Sequence, residues 1–182
     1  TLAFSDTANI TGSYNSGTGV LTLSGTDTVA NYQTALRSIT YLNSLDKPDI
    51  TARTVSWSVT DANSDGAGAE TSSAVTSTIN LSAVNDTPTT TAGATLDYSE
   101  NGTAAVVDNT IALSDADDSN IAAAAVSISS GFTSGDILTF TDTANITGSY
   151  NSSTGVLTLS GTDTVANYQT ALRTVTYLSS SE

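Results

Sequence analysis

The sequence predicts an all-β fold: a Greek-key β-sandwich in tandem repeats, with one short helix per repeat. Three observations predict it. One long stretch of the chain occurs twice, which is the signature of a repeat array. Short segments alternate apolar and polar residues at strand spacing, and they are rich in Val, Ile, Thr and Tyr. Turn-forming Gly, Asn, Asp and Ser separate these segments.

The repeated stretch covers residues 2–46 and 138–182, so the second copy begins 136 residues after the first. The two copies differ at only eight aligned positions, and all eight changes are mild. We therefore expect a period of 136 residues, with 1–86 as the C-terminal part of one repeat and 87–182 as the N-terminal part of the next. The chain starts and stops inside a repeat, so we expect a segment of a longer protein.

The charge balance excludes several classes of partner. Four basic residues face eighteen acidic ones, for a formal net charge of −14. Nucleic acid is not an expected partner, because phosphate binding needs clusters of Lys and Arg. Attachment to anionic lipid is disfavoured for the same reason. The acidity either provides solubility or supplies oxygen ligands for a hard cation such as Ca²⁺.

The chain has no Cys, no His and no Met. Disulfides, zinc–thiolate sites, Cys nucleophiles and His general bases are therefore excluded. No carboxylate pair can be assigned to a cleft, so we do not expect an enzyme. No apolar run is long enough to span a membrane, and direct membrane insertion is not expected.

The first copy has the pattern of a hairpin followed by a helix. Ile10–Tyr14 and Val20–Leu23 flank a polar loop in which Gly19 is expected to take positive φ. Residues 26–37 switch to helical spacing, and Asp27 or Thr28 can cap that helix. Further strands are predicted at 2–4, 38–42, 53–60 (with Trp57 in the core), 71–84, 94–98, 106–113 and 125–129.

Neither half of the chain holds a whole sandwich by this assignment. Each half alone would expose an unpaired sheet edge. The chain can relieve this by lending residues 51–84 to its second half, either within one chain or between chains.

The first candidate metal site is the loop Asp61-Ala62-Asn63-Ser64-Asp65-Gly66. It fits the start of the calcium-loop pattern D-x-[DN]-x-[DN]-G, with Asp61, Asn63 and Asp65 as oxygen donors. The twelfth position is Ser72 rather than Glu, and a strand precedes the loop, so an EF-hand is rejected. A calcium loop on a β-sandwich and a solvated turn both remain open.

The second candidate is the acidic loop with Asp115, Asp117 and Asp118, whose alternate carboxylates can chelate a shared ion. An acidic surface turn is the alternative. Asp86, in the linker Asn85-Asp86-Thr87-Pro88, and Glu100, in Ser99-Glu100-Asn101-Gly102, are weak signals alone. Both lie near predicted repeat ends.

In combination and order, these motifs resemble the cadherin-like repeats of giant bacterial surface adhesins, including the extender regions of RTX-type adhesins. The residues that carry the resemblance are 84–88, 99–102, 113–118, 155–161 and 168–173. In such repeats, a Glu near the first strand, Asp-x-Asp loops and an Asn/Asp-rich linker bind Ca²⁺ between successive domains. The resemblance implies that role for Asn85, Asp86, Glu100, Asp115, Asp117, Asp61 and Asn63. The linker here has fewer acidic ligands than the fullest form of that pattern.

The resemblance implies a structural extender of an extracellular cell-surface adhesin, supporting adhesion or biofilm formation. Ca²⁺ would rigidify its junctions, and its partners would be neighbouring repeats of the same protein, with homotypic contacts between copies. The alternatives are a glycan- or protein-binding β-sandwich module, or a subunit of an extracellular fibre assembled by strand complementation between repeats.

Overall fold

A computed structural model describes residues 1–180 of the chain. Backbone contacts divide it into two units, Thr1–Val84 and Asn85–Glu182. The division falls close to the boundary expected after Asp86. The assignment of these units to parts of two successive repeats stays a prediction.

The first unit contains six short strands and one helix. Its three sheets are two-stranded and antiparallel, with pairs β1–β4, β2–β3 and β5–β6. The elements are β1 (Leu2–Ala3), β2 (Thr11–Asn15), β3 (Val20–Ser24), α1 (Val29–Arg37), β4 (Thr40–Tyr41), β5 (Arg53–Trp57) and β6 (Val75–Ile79).

The second unit has larger sheets. Two are three-stranded, with orders β10–β13–β12 and β11–β14–β8, and β7 pairs with β9. The elements are β7 (Thr89–Thr91), β8 (Ala105–Val106), β9 (Ala112–Ser114), β10 (Asn120–Ser127), β11 (Asp136–Thr139), β12 (Thr147–Asn151), β13 (Val156–Thr164), α2 (Val165–Leu172) and β14 (Thr176–Ser179). The fold is all-β and sandwich-like, with one short helix in each unit, as predicted. The strand pairings do not establish a Greek-key order.

The hairpin loops of the two copies are stabilised by the same local interactions. Gly19 has φ +72° and its counterpart Gly155 has φ +70°, which confirms the predicted positive-φ position. The Asn15 side chain accepts a hydrogen bond from the Gly17 amide at 2.9 Å, and Asn151 accepts one from Ser153 at 2.9 Å. Because the Asn fixes this turn, the position two residues later tolerates either Gly or Ser.

The helices are capped by Thr rather than by Asp. Thr28 Oγ1 accepts the Asn31 amide at 3.2 Å, and Thr164 makes the same contact with Asn167 at 3.1 Å. Asp27 supports the cap, since its Oδ1 accepts the Thr28 amide and the Asn31 side chain, both at 2.7 Å. Of the two expected caps, Thr28 is therefore the residue that occupies the position.

A glycine four residues before the helix permits a close backbone approach in each copy. Gly25 has φ +129°, and a Cβ there would lie 1.8 Å from the Asn9 carbonyl oxygen. Gly161 has φ +119°, and a Cβ there would lie 1.9 Å from the Asn145 carbonyl oxygen. Both glycines are required by geometry, and the sequence pattern alone did not single them out.

Three predicted strands differ from the structure. The predicted strand 106–113 is broken into β8 and β9, because residues 107–111 form no strand and the Thr110 amide bonds to the Asp108 side chain. Residues 94–98 form no strand, whereas the preceding polar run contains β7, whose three Thr residues pair with β9. The Gly93 and Ala94 amides donate to the Asp108 carboxylate. They are therefore not available for backbone hydrogen bonds to a neighbouring strand. Residues 71–84 contain only β6, whose five-residue register with β5 limits its length. Trp57 is half-buried rather than fully buried.

The main core lies in the second unit and is built from the second copy of the repeated stretch. Partly buried residues from 107–128 pack against it, including Val107, Ile121 and Val126. In the first unit, the buried apolar side chains are Ile10 and Ala35. The buried core of the second unit consists of Leu138, Ile146, Leu157, Leu159, Tyr168, Ala171, Leu172 and Val175.

Candidate functional site

The loop between β9 and β10 brings three carboxylates together. Asp115, Asp117 and Asp118 each offer a carboxylate oxygen, and these oxygens lie within 4.8 Å of one another. Asp115 and Asp117 are half-buried, and Asp118 is exposed. Within residues 1–180, this is the group of three or more acidic side chains with a spacing suited to one ion.

Asp115 shapes the loop through its own side chain. Its Oδ1 accepts the backbone amides of Asp117 at 3.1 Å and of Asp118 at 2.7 Å. This is an Asx-type turn, in which a carboxylate replaces a backbone acceptor. The turn keeps the loop compact, which is consistent with the short distances among the three carboxylates.

Asp117 connects the loop to the predicted linker. The Asp86 amide donates to Asp117 Oδ1 at 3.3 Å. Removal from water raises the pKa of Asp117 above its ordinary value, and the neighbouring Asp115 and Asp118 carboxyl groups raise it further. A positive charge nearby would therefore stabilise the ionised form of Asp117. Three hard oxygen donors are the ligand type that Ca²⁺ prefers, so the donor set fits that ion.

The other calcium-loop candidate is arranged differently. Asp61 Oδ1 accepts the amides of Asn63 at 3.0 Å and Glu70 at 3.3 Å. The Asn63 and Asp65 side chains accept the amides of Gly68 and Ala67, respectively. These oxygens stabilise the turn itself and do not join the three-carboxylate group. Their metal role stays a prediction.

Asn85 and Glu100 also lie outside the three-carboxylate group. The Asn85 side chain donates to the Asp86 carbonyl at 2.9 Å, which stabilises the linker locally. Glu100 is exposed, in a turn that the Gly102 amide closes onto the Ser99 carbonyl at 2.9 Å. Of the linker residues, only Asp86 contacts the acidic loop through a described hydrogen bond.

Two buried acidic residues were not singled out by the sequence. Asp108 is 6% exposed and accepts hydrogen bonds from Gly93, Ala94 and both donors of Thr110. The Thr110 hydroxyl and these amides hold the pKa of Asp108 far below its ordinary value. The sequence Asp108-Asn109-Thr110 is the only local signal, since an Asp two residues before Thr can form such a turn.

Asp136 is the second of these residues, and it lies beside a cleft of about 320 Å³. Its carboxylate accepts the Tyr177 hydroxyl at 2.5 Å and the amide and hydroxyl of Thr133. Tyr98 packs edge-on against Tyr177 with ring centroids 4.9 Å apart. The polar groups at this end of the cleft hydrogen-bond to one another, so we assign them a structural role.

The comparisons with known proteins give one informative similarity. The chain is 41% identical over 108 residues to halomucin from Haloquadratum walsbyi. The match covers 56% of this chain and about 1% of halomucin. No family model matches the chain, and no solved structure matches it.

Among the described residues, neither helix has the length and apolar character needed to cross a bilayer.

Proposed function

We propose that this chain is part of a spacer array of an extracellular cell-surface protein. One observation carries the proposal. The repeated stretch folds into the same hairpin and Thr-capped helix in both units. A near-identical unit used twice suits a role in which length matters and no unique site is needed.

The similarity to halomucin supports this proposal. The matched segment is a very small fraction of that protein, which fits a module within a long chain. The strongly acidic composition favours solubility and self-repulsion, both useful for an extended extracellular chain. We extend the proposal to the extender region of a surface adhesin that supports cell adhesion or biofilm formation.

Calcium is the second part of the proposal. The Asp115, Asp117 and Asp118 carboxylates would hold one Ca²⁺ ion, and Asp86 would couple the linker to the loaded loop. The ion would offset the repulsion among the three carboxylates. The loop and linker would then lose mobility, which stiffens the junction before the second unit.

Protease accessibility tests the location. Intact producing cells are treated with a protease that cannot enter them, and the chain is detected with an antibody raised against it. A surface protein loses its signal on intact cells, whereas a cytoplasmic control protein in the same sample is retained. Loss of the signal only after cell lysis would contradict the proposal.

The spacer role has its own test. Arrays of one, two and four periods are compared by small-angle X-ray scattering, with and without Ca²⁺. The maximum dimension of a spacer grows in proportion to the number of periods. A dimension that grows only as a compact particle would, with the cube root of mass, would contradict the spacer role.

A further inference from the structure

The two copies of the repeated stretch differ sharply in burial. In the second unit, Leu157, Leu159 and Tyr168 are at most 2% exposed. Their counterparts Leu21, Leu23 and Tyr32 have the same local sequence and secondary structure, yet they are only half-buried. We call the surface formed by Leu21, Leu23, Tyr32 and Leu36 the open face of the first unit.

The second unit shows what covers this surface. The partly buried residues packed against its core include seven from one continuous part of the chain: Val107, Ile111, Leu113, Ile121, Ala124, Val126 and Ile128. All seven precede the second copy. The first unit, Thr1–Val84, contains the copy without this covering segment.

The backbone shows the same relationship. In the second unit, β10 pairs along β13 from Asn120–Thr164 to Ser127–Val156, and β12 occupies the other edge of β13. In the first unit, β3 pairs with β2 alone. The opposite edge of β3 is therefore free for a strand equivalent to β10. An apolar face beside an open strand edge is a template for β-augmentation.

Two polar side chains of the second copy also bind the backbone of this covering segment. Gln169 Oε1 accepts the Leu113 amide at 3.1 Å, and Arg173 Nε donates to the Ile111 carbonyl at 2.7 Å. These bonds hold the chain before and within β9 against α2. The first unit carries the same residues as Gln33 and Arg37, and both are exposed.

We propose that the open face of the first unit is the docking site for a second copy of residues 86–136, supplied by the preceding repeat. This copy would add its β10 to the free edge of β3 and bury Leu21, Leu23, Tyr32 and Leu36. Gln33 and Arg37 would bind its backbone as Gln169 and Arg173 do. The inference rests on the tandem-array part of the proposed function and is independent of the cell-surface location.

The register of the repeat allows a direct test. Thr1 aligns with Ile137, so a copy of residues 86–136 can be fused to Thr1 without a linker. Hydrogen exchange is followed by mass spectrometry in the original and extended chains. Peptides that span Gly17 or Ser38 report the first unit, because the second copy has Ser153 and Thr174 at these positions. We expect exchange in residues 20–37 to slow by about tenfold or more on extension.

A matched control extension carries Leu113→Asp, Ile121→Asp and Val126→Asp in the added copy only. It has the same length but lacks the apolar face, so exchange in residues 20–37 should stay as in the original chain. Unchanged exchange with the unsubstituted extension would overturn the proposal. If the extended chain aggregates, the isolated 86–136 polypeptide is added to the original chain and the same peptides are read.

The oligomeric state decides the source of the covering segment. Light scattering should show the original chain as a monomer whose residues 20–37 exchange quickly. A dimer in which these residues are protected would assign the cover to another molecule and overturn supply by the preceding repeat. Protease accessibility on cells bears only on location, so failure of that test and failure of this one are distinguishable.

Discussion

Tyr177 donates a hydrogen bond of 2.5 Å to the buried Asp136 carboxylate, across 41 residues of sequence. Asp136 begins β11, and Tyr177 lies on β14, the strand that pairs with it. The bond therefore fixes two paired strands to each other through side chains as well as through the backbone. It lowers the pKa of Asp136 and raises the pKa of Tyr177, as expected when a hydroxyl donates to an ionised carboxylate.

Loss of this hydroxyl should destabilise the second unit. Tyr177→Phe removes one hydrogen-bond donor from a buried carboxylate, and we expect a loss of about 1–2 kcal/mol in the free energy of unfolding. Tyr41→Phe is the matched control, since Tyr41 aligns with Tyr177 and no described hydrogen bond involves its hydroxyl. The control should change stability by less than about 0.5 kcal/mol. Urea unfolding measures both, and equal effects would contradict the assigned role.

Acid should destabilise the second unit through Asp108 and Asp136. Both pKa values are held below the ordinary 3.8, Asp136 chiefly by Tyr177 and Asp108 chiefly by Thr110. The folded state then binds fewer protons than the unfolded chain, so this contribution is present above the ordinary pKa. It is lost as the pH falls through 3.8 toward the lowered values. Asp117 has a raised pKa, so its contribution to the free energy of unfolding is present at low pH and is lost as the pH rises.

Asp108→Asn tests this linkage. The variant should be less stable than the original chain near neutral pH and should show a weaker loss of stability on acidification. Urea midpoints between about pH 3 and about pH 7 measure the slope. Asp97→Asn, at an exposed position of the same unit, should keep the original slope. An unchanged slope in Asp108→Asn would show that Asp108 is not the titrating group.

Calcium should stabilise the second unit if the acidic loop binds it. At a free concentration one hundred times the dissociation constant, bound Ca²⁺ adds about 2.7 kcal/mol to the free energy of unfolding. Asp117→Asn should abolish this gain and should also stabilise the calcium-free protein, since it removes a repelled charge. Calorimetric titration and thermal melting with and without chelator measure both effects.

Asp61→Asn separates the two candidate loops. It should leave the calcium gain intact if Asp115, Asp117 and Asp118 hold the ion. A gain that Asp61→Asn removes and Asp117→Asn does not would place the ion in the earlier loop. No gain in the original chain would remove calcium from the proposed function.

Gly161→Ala should be the most damaging single-methyl change in the second unit. The new Cβ would meet the Asn145 carbonyl oxygen at 1.9 Å, and the backbone would have to move away. Gly131→Ala is the control, because Gly131 also has positive φ but has no atom near its Cβ position. We expect about 1 kcal/mol for the control, from backbone strain alone, and several times that for Gly161→Ala. Thermal unfolding compares the two, and similar losses would contradict the steric reason.

Local sequence predicted the hairpins and helices because their causes are local. Asn15 fixes its own turn, Gly19 supplies the positive φ, and Thr28 caps the helix that follows. The acidic loop was predictable for the same reason, since Asp115 bonds to amides two and three residues away. Asp136 was missed because its bond to Tyr177 spans 41 residues of sequence. Asp108 has a local partner in Thr110, but its burial and its bonds to the Gly93 and Ala94 amides depend on the tertiary structure.

The repeated stretch separates the two kinds of information directly. The sequence Val-Leu-Thr-Leu-Ser-Gly-Thr-Asp-Thr occurs at 20–28 and at 156–164. It forms a five-residue strand in the first unit and a nine-residue strand in the second. The sequence by itself determined the all-β class, the hairpin turns and the offset of 136 residues between the two copies. Only the tertiary structure decided strand length and core burial, because both require a neighbouring strand to satisfy the backbone and cover the apolar side chains.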